Sequence, residues 1–359
     1  MTINLKNLCE LAALWLDGSL SSGNITEFVE KLPRCSSSPL NILSLQGNNM
    51  TGMLPDVMGH INYLSILDLS NNSISGSIPR GIQNLTQLIS LALSSNQLTG
   101  HIPVLPTSLT NLDVAMNFLS GNLPSQFGAP FLRVIILSYN RITLSHNMFH
   151  GNIPVNIANL GSLQYLNLAA NNISGSLPRT LVNLKAMTLK HLTRIDVGWY
   201  ESLTYYVLLT DILSLVMKHQ ELNYHAEGSF DLVGIDLSQN QLTGGIPDQV
   251  TCLDGLVNLN LSSNHLKGKI PDNVGDMKSV ESLDFSRNNL SGEIPQSLSD
   301  LTYLSSLDLS HSNFVGRIPR GSQFDTLYAN NLMATMVYVD LLFKGIAQTL
   351  MHQSMGNIT

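Results

Sequence analysis

The stretch LNLSSNHLKGKIP (residues 259–271) decides the fold of this chain. Leu259 and Leu261 alternate with Asn258, Asn260 and Ser262, the period-two pattern of a half-buried strand. Asn264 then turns the chain, Gly268 suits a tight bend, and Ile270-Pro271 leads away in an extended form that lacks one backbone donor. The same phrase recurs as LDLSNNSISGSIP (67–79), LALSSNQLTGHIP (91–103) and LDFSRNNLSGEIP (283–295).

Working outward, the Asn of L-x-x-L-x-L-x-x-N marks one repeat. The marks fall at Ser19, Asn48, Asn72, Asn96, Asn117, Asn140, Asn171, Asn240, Asn264, Asn288 and Ser312. Their spacings are 29, 24, 24, 21, 23, 31, 69, 24, 24 and 24 residues. A coil of this length cannot bury its apolar face alone, so successive coils must stack. Each inward Leu is worth roughly 1.5–3 kcal/mol when buried. The marker amide satisfies backbone groups of adjoining coils that would otherwise cost about 1–3 kcal/mol each. Ser19 and Ser312 do this only in part, as outermost coils allow.

The form L-x-x-L-x-x-L-x-L-x-x-N-x-L-x-G-x-I-P resembles the plant-type leucine-rich repeat over nearly all of residues 5–320. The resemblance implies a solenoid of the α/β class, a leucine-rich-repeat superhelix. Parallel strands would line its concave face, and irregular or 3-10 arcs its convex face. Seven coils occupy residues 1–183, the first atypical; a non-repeat island follows at 184–231 and four coils at 232–320. An island ahead of four final repeats resembles the ectodomain of plant receptor-like proteins and of brassinosteroid-type receptor kinases. QELNYH (220–225) followed by FDLVGIDLSQNQLTG (230–244) is similar to the re-entry point of receptor-like proteins. The family implies a sensor on the extracellular side of the plasma membrane, in defence or developmental signalling. It takes a protein or peptide ligand and works through a partner receptor kinase. Two alternatives stand beside it: a secreted repeat inhibitor of cell-wall-degrading enzymes, and an inactive truncated gene product.

Two segments depart from the pattern. LSHNMFHGNIP (144–154) repeats the post-strand phrase with its Asn only 7 residues after Asn140. Seven residues span at most about 25 Å and cannot circle a core. The 140–170 segment therefore reads as one bulged coil, with a strand at 134–137 and none near Leu144. The second departure is the tail, 321–359, which reads as disordered or frameshifted. MATMVYVDLLFKGIA (333–347), back-translated with permitted codons and read two bases on, gives GNNGLCGPPLQRNC, the cap expected of the family.

Charged residues are only 12% and the net charge is −7, which argues against nucleic acid as a partner. Lys6 and Glu10 break the opening apolar run, so no signal peptide is read. Asp211 breaks the best apolar stretch, 205–217, so no membrane span is read either. No catalytic or metal motif stands in the chain, and Asp308, Ser310 and His311 are ordinary repeat sequence; no enzyme and no cofactor are expected. Three cysteines leave one unpaired at least. Cys9 and Cys252 occupy apolar arc positions and read as buried thiols, with a Cys9–Cys35 bridge as the alternative.

The outward strand positions Tyr165, Asn167, Asn258, Ser282 and Ser306 define a candidate ligand surface. The outward column Asp68, Asp113, Asp236, Asp284 and Asp308 reads either as a solvated repeat position or as a site for a cation or basic ligand. The island concentrates Trp199, Tyr200, Tyr205, Tyr206 and Tyr224, which either anchor a partner or pack the island onto the coils. A helix over 202–217 is expected. Eight N-x-Ser/Thr sequons stand at Asn24, Asn49, Asn71, Asn84, Asn172, Asn260, Asn289 and Asn357. Asn84, on an outer arc, is the first candidate for sugar, whereas a glycan on Asn260 would block the inner face.

Overall fold

The computed structural model describes residues 5–33, 39–139, 149–188, 233–316 and Pro319, together with the backbone of 213–217, 220–224 and 337–338. One parallel sheet of 12 strands runs through them. Its first eleven strands are Ala13–Trp15, Ile42–Ser44, Ile66–Asp68, Ser90–Ala92, Asn111–Asp113, Val134–Ile136, Tyr165–Asn167, Gly234–Asp236, Asn258–Asn260, Ser282–Asp284 and Ser306–Asp308. Each supplies one central apolar residue to a single row. Leu67 pairs with Leu91, Leu166 with Ile235, Ile235 with Leu259, and Leu283 with Leu307. Those residues are all buried in one continuous core that extends from Leu5 to Leu309. The solenoid of leucine-rich coils is therefore the observed fold.

Val134–Ile136 pairs directly with Tyr165–Asn167, so the 140–170 segment contributes one coil and no ladder strand between them. Residues 140–148 themselves lie outside the described set. The island likewise does not interrupt the sheet, because Tyr165 pairs with Gly234 and Asn167 with Asp236. Leu213–Met217 is a strand antiparallel to Gln220–Tyr224, which corrects the last five residues of the helix expected over 202–217; residues 202–212 lie outside the described set. LSLVM is a short apolar run that suits either element, and periodicity alone does not separate them. In the tail, Val337–Tyr338 adds a twelfth strand against Leu307 and Asp308; the rest of 320–359 lies outside the described residues.

Past each strand the chain forms a second set of short parallel ladders. There the hydroxyls of Thr51, Ser75, Ser174 and Thr243 donate to the carbonyls of Gly23, Gly52, Gly151 and Gly175 in the preceding coil. The arcs that close the coils are 3-10 turns such as Arg80–Asn84, Asp248–Cys252 and Gln296–Asp300, each entered through a proline.

The marker asparagines tie coil to coil. Asn96 donates through Nδ2 to the carbonyls of Leu69, Leu93 and Ser94, and its Oδ1 accepts from Ile74 N–H. Asn72, Asn117, Asn171, Asn264 and Asn288 repeat the donation to the coil before. At the ends, the Ser19 hydroxyl donates to Asp17 O two residues away, and the Ser312 hydroxyl reaches Asn288 O at 3.5 Å.

Cys9 is disulfide-bonded, which corrects its reading as a plain buried thiol; Cys35, the partner in the alternative reading, lies outside the described residues. Cys252 is a free thiol and exposed, which corrects its buried reading. Val250 and Thr251 face the core from that 3-10 turn, and the next residue points outward.

Candidate functional site

The concave face is made of the two residues that flank each central apolar residue. The register aligns them in two rows. One runs Val134, Tyr165, Gly234, Asn258, Ser282, Ser306; the other runs Ile136, Asn167, Asp236, Asn260, Asp284, Asp308. The sequence placed Tyr165, Asn167, Asp236, Asn258, Asp284 and Asp308 on one face, and the structure brings them together there.

Their depth is a correction. Tyr165, Asn167, Asp236, Asn258 and Asp308 are buried, as are Ser282 and Ser306, while Asp284 is half-buried. Strand alternation fixes the side of the sheet on which a residue lies, not what covers it. The second row folds its side chains back onto its own backbone. Asp68, Asp113, Asn167, Asp236, Asn260, Asp284 and Asp308 each accept through Oδ1 from the N–H two residues on, at 2.8–3.0 Å. Asp and Asn are interchangeable in this bond, which explains why both occupy the column. The column is thus a turn-closing device at the strand ends. No group of His, Cys, Asp or Glu suited to a metal ion occurs among the described residues.

Burial also changes the chemistry of the carboxylates. Asp236 is pushed up to about 6 by desolvation, against the hydrogen bonds from Ser238 and with repulsion from Asp284 adding to the rise. Asp113 is likewise raised to about 6, chiefly by desolvation. A folded-state value above the unfolded one means that the folded chain holds the proton more tightly. The stabilising effect is complete below about pH 4 and is lost as pH rises through about 6. Asp236→Asn keeps the acceptor that Asn167 and Asn260 use, and removes the buried charge. It should raise the unfolding free energy at pH 7.5 by on the order of 1–3 kcal/mol, and change little at pH 4. Urea titrations at both values check this; an equal effect at both would contradict it.

Trp199, Tyr200, Tyr205 and Tyr206 lie outside the described residues, and of Tyr224 only the backbone in the Gln220–Tyr224 strand is described. Among the sequons, Asn49, Asn71, Asn84, Asn172 and Asn289 are exposed, and Asn24 is exposed while capping the Ile25–Val29 helix. Asn260 is only 8% exposed, and its side chain hydrogen-bonds the Asp236 carboxylate as well as accepting from Ser262, so it is poorly placed to carry sugar.

One structural position escaped the sequence reading. The residue before every marker has positive φ: Gly18, Gly47, Asn71, Ser95, Met116, Tyr139, Ala170, Gln239, Ser263, Arg287 and His311. Met116 and Tyr139 hold large exposed side chains there. The types are so mixed that only the shared offset from Asn could have shown it.

Residues 38–98 match the family described as Leucine rich repeat, and residues 162–184, 231–253, 255–277 and 279–301 match a second model of that description. These are leucine-rich repeats. The matched segments lie on both sides of the island and coincide with coils of the 12-stranded sheet. None of the curated proteins matches the chain. Among solved structures it is similar to the Arabidopsis receptor kinase HAESA ectodomain in complex with an IDA peptide hormone ligand. There the TM-score is 0.66 and identity 27%, over 91% of this chain and 46% of that one. A second structure, HAESA with IDA and the co-receptor SERK1, gives a TM-score of 0.58 and 30% identity, over 94% of this chain and 52% of the other. A plant ice-binding protein gives a TM-score of 0.54 and 26% identity, over 77% of this chain and 73% of the other. The chain spans about half the length of the two HAESA ectodomains.

Proposed function

We propose that these leucine-rich repeats form the extracellular recognition platform of a plant receptor-like protein. They capture a protein or peptide ligand on the concave face and signal, in defence or development, through a partner receptor kinase docked on the last four coils. The observation that carries this reading is the unbroken concave ladder across the island: Asn167 and Asp236 are sheet neighbours although 69 positions apart. An insertion that leaves the coils in register alters the surface and not the scaffold. Peptide hormone and co-receptor in the HAESA complex support the same division of labour. The fold alone does not choose a role, since the ice-binding protein shares it. In the second ladders of this chain, however, the hydroxyls of Thr51, Ser75, Ser174 and Thr243 are bonded to glycine carbonyls, and His150, Lys267 and Val315 interrupt the row.

The test is expression in leaves behind a secretory leader. The chain should be secreted, carry a glycan at Asn84 and none at Asn260, and co-purify with a membrane receptor kinase. A glycosylated chain that associates with no kinase, yet blocks a cell-wall-degrading enzyme, would establish the inhibitor role instead. A chain that is retained and degraded would mark an inactive product.

A further inference from the structure

The two ends of the long sheet differ. At one end Leu304, Leu307 and Leu309 are buried, and Val337–Tyr338 lies against the Ser306–Asp308 strand. At the other, Ala13–Trp15 is the outermost strand, with no strand on its far side among the described residues. The corresponding leucines there, Leu11, Leu14 and Leu16, are only half-buried, whereas Leu40, Leu43 and Leu45 one coil further on are fully buried. Trp15 is 40% exposed. Residues 12–16 hold neither a charge nor a proline, the devices that usually keep a sheet edge from pairing.

The bonds made on the closed side fix which backbone groups face the open one. Ala12 O accepts from Ile42 N–H, and Leu16 N–H donates to Ser44 O. Successive strand residues turn their N–H and C=O to alternate neighbours, so Leu14 shares that side, and Ala13 and Trp15 present theirs to the open edge. An antiparallel second copy centred on Leu14 meets these groups. Ala13 then stands opposite Trp15 of the second copy and exchanges both backbone bonds with it, while Leu14 stands opposite Leu14 in the closer, non-hydrogen-bonded kind of pair. The smallest side chain of the strand thus meets the largest, twice over. It does so on the concave side, where Ala13 neighbours Ile42 and Ile42 neighbours Ile66, the two buried residues of a small apolar cluster. Such a match is self-complementary, as a two-fold interface requires.

We infer that the Ala13–Trp15 edge is the contact surface of a homodimer, in which two copies of this chain join head to head with these strands antiparallel. The two-fold axis closes the assembly. Each copy uses its open edge, and Val337–Tyr338 occupies the opposite one, so the contact does not propagate into a filament. The two concave faces run on into a single surface. The inference goes beyond the proposed recognition role and stands without it, since the dimer forms whatever the ligand.

The test is sedimentation equilibrium of the full chain over a range of micromolar concentrations. The parent should be a dimer in equilibrium with monomer. Trp15→Lys should raise the dissociation constant at least about tenfold and leave the circular dichroism spectrum unchanged, because the side chain it replaces is exposed. Ala13→Trp alone sets Trp against Trp and should weaken the dimer likewise. Ala13→Trp combined with Trp15→Ala puts small against large again and should recover it; this pair of variants decides the matter even if Lys at position 15 unfolds the first coil. A parent that stays monomeric throughout would overturn the inference. A dimer that Trp15→Lys leaves intact would place the contact elsewhere and overturn it too. Failure of the exchanged pair to recover the dimer would overturn the antiparallel register about Leu14. Species that keep growing with concentration would overturn the closed two-fold arrangement.

Discussion

Asn240→Ala should cost about 3–5 kcal/mol, a large effect for one polar side chain. Asn240 donates through Nδ2 to Leu168 O at 2.9 Å and to Leu237 O and Ser238 O at 3.1 Å, while its Oδ1 accepts from Ile173 N–H at 3.0 Å. All four contacts are buried, and two cross the island to the preceding coil. Alanine leaves three carbonyls and one N–H without that partner, in a place where water does not replace it. The damage should also be local in kind. Stability in a repeat array is a sum of coil terms and neighbour terms, so weakening this junction uncouples the coils of 232–316 from those of 5–188. Urea unfolding should then split into two transitions, with hydrogen exchange accelerating first around 168–173 and 234–243. A single transition shifted by less than about 1 kcal/mol would show that the amide is dispensable.

Leu283→Ala should cost about 2–5 kcal/mol. Leu283 is fully buried and stands between Leu259 and Leu307 in the central row. Those two residues are its neighbours along the row, and a double-mutant cycle can read the coupling. Leu283→Ala with Leu259→Ala should be non-additive by about 0.5 kcal/mol or more, while Leu283→Ala with the distant Leu67→Ala should add within about 0.5 kcal/mol. Strong coupling of the distant pair would contradict a core in which each coil touches only its neighbours.

The strands, the inward leucines and the marker amides were legible because each is a side-chain type repeated at a fixed offset. Leu67, Leu91, Leu259 and Leu283 stand in one row as that offset requires. What failed was whatever depends on neighbours in space. Asp236 and Asp308 lie on the expected face, but their carboxylates turn onto Ser238 and Ser310 N–H and are buried. Tyr165 was legible as a concave residue; the notch at Gly234 that receives its ring was not, because the two are 69 positions apart. Cys252 shows the same limit on the convex side, where one step along a 3-10 turn separates core from solvent.

The most direct measurement is the distance between Ser176 and Thr243, exposed partners in the second ladder on either side of the island. Spin labels at these two positions, in a background with Cys252→Ser, should show the strong dipolar broadening of neighbours one strand spacing apart, about 4.8 Å between backbones. A spectrum without broadening would mean that the coils before and after the island do not stack, and the continuous concave platform would be refuted.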